Sequence, residues 1–313
     1  MNHPRRFDLH PTSAEASAHT FTDPRQEARF LDLVRNRLGR KGDTVTIDRD
    51  VARVEGSEIV HGLTNIAQIC RQAPEAAWPR LIDEHFAKSE SPRITEGTAI
   101  LTSGNFEQSA DRLVVRIHAP NFVSGVPISH FVHRVDLQET CTVLALDIGT
   151  SVMPVPGIVA EGWGLPHAVL FERALDNLVR TSKARWSTMS IPPPHQFTFD
   201  LLHGDFHAPT HLLRRDPGLP RTGKHGNLVG LPACGVAVSY PIDEALDALT
   251  IESLLAITTG KYDDGPSSIT PHLYWRTPAG NYHLQRARHT PDRTRFSPSP
   301  EFLELMVRLQ KAR

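Results

Sequence analysis

A short run of histidine and aspartate residues carries the ligand types that metal chemistry needs. His203, Asp205 and His207 occupy alternate positions, and His211 follows four residues after His207. On an extended strand the first three side chains point to one side, whereas on a helix His207 and His211 share a face. Two imidazoles and a carboxylate are ligands that zinc or ferrous iron accepts. The spacing therefore supports one hypothesis for the function, a metal-dependent hydrolase.

The same segment also fits a purely structural interpretation. The chain has 17 histidines, so such clusters arise by chance. Pro209, Pro217 and Pro220 favour an irregular loop over a rigid strand. In such a loop the imidazoles diverge and Asp205 caps a turn. We expect divergence, because the strand and the helix each explain only part of the set.

Asp147 is the second candidate for chemistry. It ends the apolar run Cys141–Asp147, which predicts a buried strand. Residues at strand ends often belong to sites, so Asp147 could act as a general base beside a metal-bound water. An aspartate at this position also commonly caps a local turn. The sequence leaves both roles open.

Other catalytic motifs are absent from the sequence. The three cysteines, Cys70, Cys141 and Cys234, lie in apolar surroundings that disfavour the thiolate. There is no Gly-x-Ser-x-Gly elbow and no phosphate-binding glycine loop. We therefore expect no cofactor, except that the hydrolase hypothesis requires a divalent metal such as zinc.

The composition excludes several classes of protein. The 313 residues are 39% apolar and 22% charged, and the net charge is −1, as in a soluble globular protein. A neutral chain offers no charged surface for nucleic acid or for an anionic membrane. No apolar run approaches a membrane span or a secretory signal. The odd, dispersed cysteines indicate a reducing cytoplasm, so we expect an unknown protein or small-molecule partner there.

Hydrophobic periodicity predicts a small N-terminal helix–hairpin–helix unit over residues 23–90, after a flexible tail over 1–22. Its first helix begins at Asp23-Pro24, where the aspartate can cap the free amides. A hairpin over 44–54 comes next, and helices begin near Leu63 and after Pro79. Nothing in this unit has a catalytic pattern.

Residues 91–313 are predicted to form one sheet-based domain that ends in an amphipathic helix. Residues 89–109 lack a regular pattern, and 184–227 are read as loop with one short strand over 197–201. The helix after Pro166 is expected to bury Phe171, Leu175 and Leu178 against the strand Val143–Leu146. Frequent hairpins indicate an α+β fold, with a mainly antiparallel mixed sheet and packed helices.

The order of these segments resembles the YtpQ-like family, a bacterial family of unknown function. Four pieces carry the resemblance: Leu63-Thr64-Asn65, the strand ending at Asp147, Trp163-Gly164, and the helix end Ala174-Leu175-Asp176-Asn177-Leu178. It covers residues 25 to about 258. It implies the fold and a cytoplasmic location, but no reaction.

Two segments depart from the family pattern. Cys234-Gly235 replaces an Arg-Asp pair, and the segment from His203 to Pro209 replaces the family's Asp-Gly-Tyr-Asp-Ala-Ser. An activity that used those polar residues would be lost or changed in this chain. The sequence therefore favours a non-catalytic binding or regulatory module over the metal-dependent hydrolase.

Overall fold

Three antiparallel sheets with packed helices give the described chain an α+β fold. The computed structural model describes residues 21–40, 42–57, 59–120, 122, 126–149, 151–192, 197–214, 216, 218–290 and 293–312. Within these residues, no helix is long and apolar enough to cross a membrane. The predicted fold class is confirmed. The predicted tail lies outside the described residues, except for Phe21 and Thr22.

The N-terminal unit follows the predicted order of elements. Its helices are α1 (Pro24–Leu38), α2 (Thr64–Arg71) and α3 (Trp78–Ser89), and its strands are β1 (Val45–Asp48), β2 (Val51–Val54) and β3 (Val60–Gly62). The Asp23 side chain accepts the amide of Arg25, as the predicted cap requires. Phe21 packs against Phe30 and Trp78 in the core of this unit. The third strand, β3, was not predicted.

Two helices, α4 (Pro92–Thr102) and α5 (Phe106–Ala110), fill the segment that was predicted to be irregular. Helix α4 contains Gly97 and several β-branched residues, which weaken a helical pattern. The start of α4 could nevertheless have been predicted from the sequence, because Ser91 caps the first turn and a proline follows it.

The central sheet consists of β4 (Leu113–His118), β5 (His133–Arg134), β6 (Cys141–Asp147) and β7 (Val152–Pro154). Strand β6 lies in the middle and pairs antiparallel with the other three. Its first six residues are buried and only Asp147 is partly exposed. The strand therefore places the Asp147 carboxylate at the protein surface.

Helix α6 (Gly157–Gly162) leads into α7 (His167–Thr181), which covers the central sheet. Phe171 and Leu178 are buried as predicted, but Leu175 is only partly buried. The helix contacts β4 more extensively than β6, although Phe171 shares one core cluster with Leu144 and Leu146 of β6, as predicted. Asn177 explains this position, because its Nδ2 donates to the carbonyls of Ala110 (2.7 Å) and Leu113 (2.9 Å), just before and within β4.

The large sheet has the order β14-β13-β12-β10-β11-β9-β8. Its strands are β8 (Arg185–Ile191), β9 (Phe197–His203), β10 (Asn227–Ala233), β11 (Val236–Pro241), β12 (Leu273–Arg276), β13 (Tyr282–Thr290) and β14 (Arg293–Ser297). Helices α8 (Ala248–Asp264) and α9 (Pro300–Lys311) share one apolar core with it. Strand β8 was not predicted.

Helix α2 holds the N-terminal unit against the end of α8. Arg71 and Gln72 donate to the carbonyls of Asp263 and Asp264, which the helix itself leaves unpaired. Asn65 accepts the amide of Ser267 at 2.8 Å. The asparagine of the Leu-Thr-Asn motif therefore serves this contact.

The assignment of the α7 face can be tested with neighbouring residues. Leu170 is fully buried in the core, whereas Val169 is 44% exposed. We expect Leu170→Ala to lower the free energy of unfolding by about 2–5 kcal/mol, through lost burial and a cavity. Val169→Ala should change it by about 0.5 kcal/mol or less. Urea unfolding of both variants measures this, and equal effects would mean that the helix face is misassigned.

Candidate functional site

The candidate metal ligands are held by separate hydrogen bonds. His203 ends β9, and its Nε2 lies 2.9 Å from the hydroxyl of Ser187 on β8. Asp205 follows in a turn, where both of its oxygens accept hydrogen bonds from the protein. His207 immediately precedes a short 3₁₀ helix over 208–213.

The Asp205 carboxylate joins two segments of the chain. Its Oδ2 accepts from the Ser182 hydroxyl (2.6 Å) and from the amides of Lys183 (2.6 Å) and Ala184 (3.1 Å). Its Oδ1 accepts from the amide of His207 at 2.9 Å. Burial would raise the pKa of Asp205, but the hydrogen bonds from Ser182 and from the amides lower it below its usual value. The group is an ionised anchor between the end of α7 and the loop after β9.

Ser182, Asp205 and His211 meet, but not as a catalytic triad. His211 Nε2 lies 2.7 Å from the Ser182 hydroxyl oxygen. In a triad the carboxylate holds the far side of the imidazole, whereas Asp205 here binds the serine. The one hydroxyl proton therefore goes to Asp205, and His211 donates to the serine oxygen. That oxygen also accepts from the amide of Ala184 at 3.1 Å, so no lone pair remains for attack.

His207 lies close to this network, and its Nδ1 is buried without a hydrogen-bond partner among the described residues. Burial lowers its pKa, aided by Arg116 and opposed by Asp205 and Asp147. Across the part of the chain that the structure describes, no three His, Cys, Asp or Glu side chains are arranged to hold a metal ion. The arrangement thus lends no support to the metal-dependent hydrolase.

Asp147 has the turn-capping role, one of the two that the sequence left open, and its side chain also lines a cavity. Its Oδ1 accepts the amide of Gly149 at 2.6 Å, which caps the turn after β6. The same side chain lines a cavity of about 430 Å³ at the edge of the central sheet. We call this cavity the Asp147 pocket; its charged and amide side chains are Arg93, Glu96, Asp111, Arg112, Asp147 and Asn177.

Most charges around the Asp147 pocket are neutralised in pairs. Arg112 binds Glu96 at 2.8 Å, and Asp111 binds Arg173 at 2.6 Å. No such ion pair involves Arg93 or Asp147 within the described residues. The pocket therefore presents one guanidinium and one carboxylate that are not paired with each other or with other charged side chains.

Gly149 lies between these two groups. Its amide donates to Asp147, and a Cβ at this position would collide with the Arg93 guanidinium. Its φ of +81° is in the left-handed region that favours glycine. Arg93 Nη1 also lies 3.4 Å from the carbonyl of Ile148. The turn thus brings both Arg93 and Asp147 next to one glycine.

Sequence reasoning did not find Arg93, because it lies in the first turn of α4, a helix that was not predicted. The signal that could have found it is the Ser91-Pro92 start of that helix. Asn177 has a structural role through its amide hydrogen bonds, and it also lines the Asp147 pocket.

The thiols are free and buried. Burial raises the pKa of Cys70 to about 12 and that of Cys141 to about 11. Both stay protonated at neutral pH, and a protonated thiol is a poor nucleophile.

Comparison with protein-family models, with curated proteins and with solved structures yields no match.

The structural role of Asp205 predicts a specific sensitivity. In Asp205→Asn, at least one of the four donors meets an amide NH₂ group, so we expect a loss of about 1–3 kcal/mol in the free energy of unfolding. Asp216 is the matched control, because among the described residues this exposed side chain accepts only the amide of Gly218. Asp216→Asn should cost about 0.5 kcal/mol or less. If chemical denaturation gives both variants the same free energy of unfolding, the Asp205 carboxylate does not stabilise this junction.

The buried histidines lead us to predict that the folded protein becomes less stable in acid. Burial is the main cause that lowers the pKa of six of them: His61, His85, His118, His207, His211 and His272. The unfolded chain therefore binds more protons than the folded chain, and stability falls as the pH drops below about 6.5. The pKa of His85 is lowered to about 4.

The free energy of unfolding should fall by about 2 kcal/mol between pH 7.5 and pH 5 because of His85 alone, since its pKa is lower in the folded protein than in the unfolded chain. We expect urea denaturation at a series of pH values to show this decline, and His85→Gln to make it shallower by about that amount. A free energy of unfolding that is flat over this range would contradict the account.

Proposed function

We propose that the protein is a non-catalytic binding module, and that the Asp147 pocket holds its small-molecule ligand. The observation that carries the proposal is the pair of charges, Arg93 and Asp147, that lacks an ionic partner in one cavity among the described residues. Uncompensated charges that face a concave surface are the usual means of orienting a small polar ligand.

The charges define the class of ligand. A purely anionic ligand would bind Arg93 but would be repelled by Asp147, and a purely cationic ligand would meet the opposite problem. Since the other charges of the pocket cancel in pairs, a zwitterion fits best. Its carboxylate binds the Arg93 guanidinium, for which a planar two-point contact is available, and its ammonium binds Oδ2 of Asp147, which accepts no hydrogen bond from the described residues.

A binding role is also supported by the state of the candidate nucleophiles elsewhere in the described chain. The Ser182 oxygen is saturated with hydrogen bonds, and Cys70 and Cys141 are kept protonated by burial. Asp147 could act as a base, but we assign it to ligand binding because its Oδ1 is committed to the turn.

The relationship to the YtpQ-like family is part of the same proposal. Its support is that Asp147 and Asn177, 30 positions apart in the resembling motifs, line one pocket. We also propose a cytoplasmic location, for which the three free cysteines are the support.

The proposal predicts binding of zwitterions in preference to singly charged analogues. The probes are the twenty common α-amino acids, each compared with its N-acetyl and its amide derivative. We expect at least one free amino acid to bind in calorimetry, and its two derivatives to bind at least about tenfold more weakly, which corresponds to about 1.4 kcal/mol. Asp147→Asn and Arg93→Met should each weaken binding of the free amino acid by a similar factor.

Gly149→Ala provides an independent check, because its Cβ displaces Arg93 without removing either charge. We expect it to weaken binding as well. Arg308→Met, on the exposed side of α9, is the control and should bind like the wild type. Failure of every free amino acid to bind, or binding that Asp147→Asn and Arg93→Met leave unchanged, would contradict the proposal.

A further inference from the structure

Strand β8 forms one edge of the large sheet. It pairs with β9 along its whole length, from Arg185 opposite His203 to Ile191 opposite Phe197. On its other side, no backbone group in the described ranges pairs with it. A row of amides and carbonyls seven residues long is therefore available to another strand.

This edge is held in an extended conformation before any partner arrives. Besides the ladder to β9, the Ser187 hydroxyl contacts His203 Nε2 at 2.9 Å, and the Thr188 hydroxyl donates to Asp200 at 2.8 Å. Asp200 is fully buried and forms an ion pair with Arg221 at 3.0 Å. Because the strand is already ordered, a partner strand meets a smaller entropic cost on binding.

The usual protection of a sheet edge is missing from β8. Natural edges carry lysines, prolines or bulges that prevent pairing with another chain. Between Trp186 and Ile191 the strand has no charged residue and no proline, and Met189 is 41% exposed. The opposite edge, β14, has Arg293 and Arg295 within its five residues.

We infer that β8 pairs with β8 of a second copy of this chain, antiparallel and centred on Thr188. In this register Thr188 faces Thr188 of the other copy, Ser187 faces Met189, and Trp186 faces Ser190. Threonine pairs and aromatic–polar pairs of this kind are compatible with an antiparallel ladder, and no like charges are opposed. The two large sheets then join into one continuous sheet across a twofold axis.

Arg185 favours antiparallel over parallel pairing of the two β8 strands. In an antiparallel pair it faces Ile191, so the two copies of Arg185 lie roughly 20 Å apart at about 3.4 Å per residue. That exceeds the Debye length of about 8 Å at physiological salt, so their repulsion is screened. A parallel, in-register pair would bring them to about 5 Å. Self-pairing of β14 about Arg295 would likewise oppose two arginines, which favours β8 as the interface.

The test is the mass of the full chain in solution. We expect sedimentation equilibrium at about 5–100 µM to show a dimer of twice the 34.8 kDa chain. Met189→Lys/Ser190→Lys places four lysines in the ladder and should raise the dimer dissociation constant by about tenfold or more. The control is Leu303→Lys/Val307→Lys, which changes two exposed residues of α9 and adds the same charge. This control should remain as dimeric as the wild type.

A second measurement covers the case in which the β8 variant does not fold. Amide hydrogen exchange of the wild type should slow in β8 as protein concentration rises, while exchange in α9 stays constant. A monomeric wild type at the highest concentration would overturn the inference. A dimer that withstands the β8 substitutions, or whose β8 amides exchange equally fast at all concentrations, would overturn it too.

Discussion

The need to bury β6 on both faces organises the part of the molecule that we propose binds a ligand. Six successive residues of this strand are inaccessible to solvent, so the chain must supply cover on each side. Strands β4, β5 and β7 satisfy its backbone, and α7 packs on the resulting sheet. Asn177 fixes α7 by binding two carbonyls near the start of β4. The first residue of β6 to reach solvent is Asp147, and the pocket forms around it.

The chain uses two of its aspartates in contrasting ways. Asp205 accepts four hydrogen bonds from protein donors, at least one on each oxygen, so it stabilises a junction. Asp147 accepts the Gly149 amide on one oxygen, and no hydrogen bond from the described residues reaches its other oxygen. A carboxylate oxygen left for a ligand therefore distinguishes a candidate site from a structural anchor, although both residues lie at or just after a strand end.

Local signals in the sequence predicted the elements that depend on local physics. Asp23-Pro24 marked the start of α1, alternating residues marked the first hairpin, and a continuous apolar run marked β6. Helix α4 was missed because Gly97 and β-branched residues weaken its periodicity. Strand β8 was missed because an edge strand that packs little on either face shows no apolar alternation. The turn-capping role of Asp147 could be predicted from the sequence, but the position of Arg93 beside Gly149 in the same pocket depends on how α4 packs, which no local pattern encodes.

The most direct test of the central claim is to observe the amide of Gly149 while a zwitterion is added. This amide donates to Asp147, so an ammonium group on the other carboxylate oxygen must change its environment. In a ¹H–¹⁵N NMR titration with the amino acid that binds in calorimetry, we expect the Gly149 and Ile148 signals to shift and to saturate at the calorimetric dissociation constant. Saturable binding that leaves these two signals unmoved would contradict the account, because the ligand would then occupy a different surface.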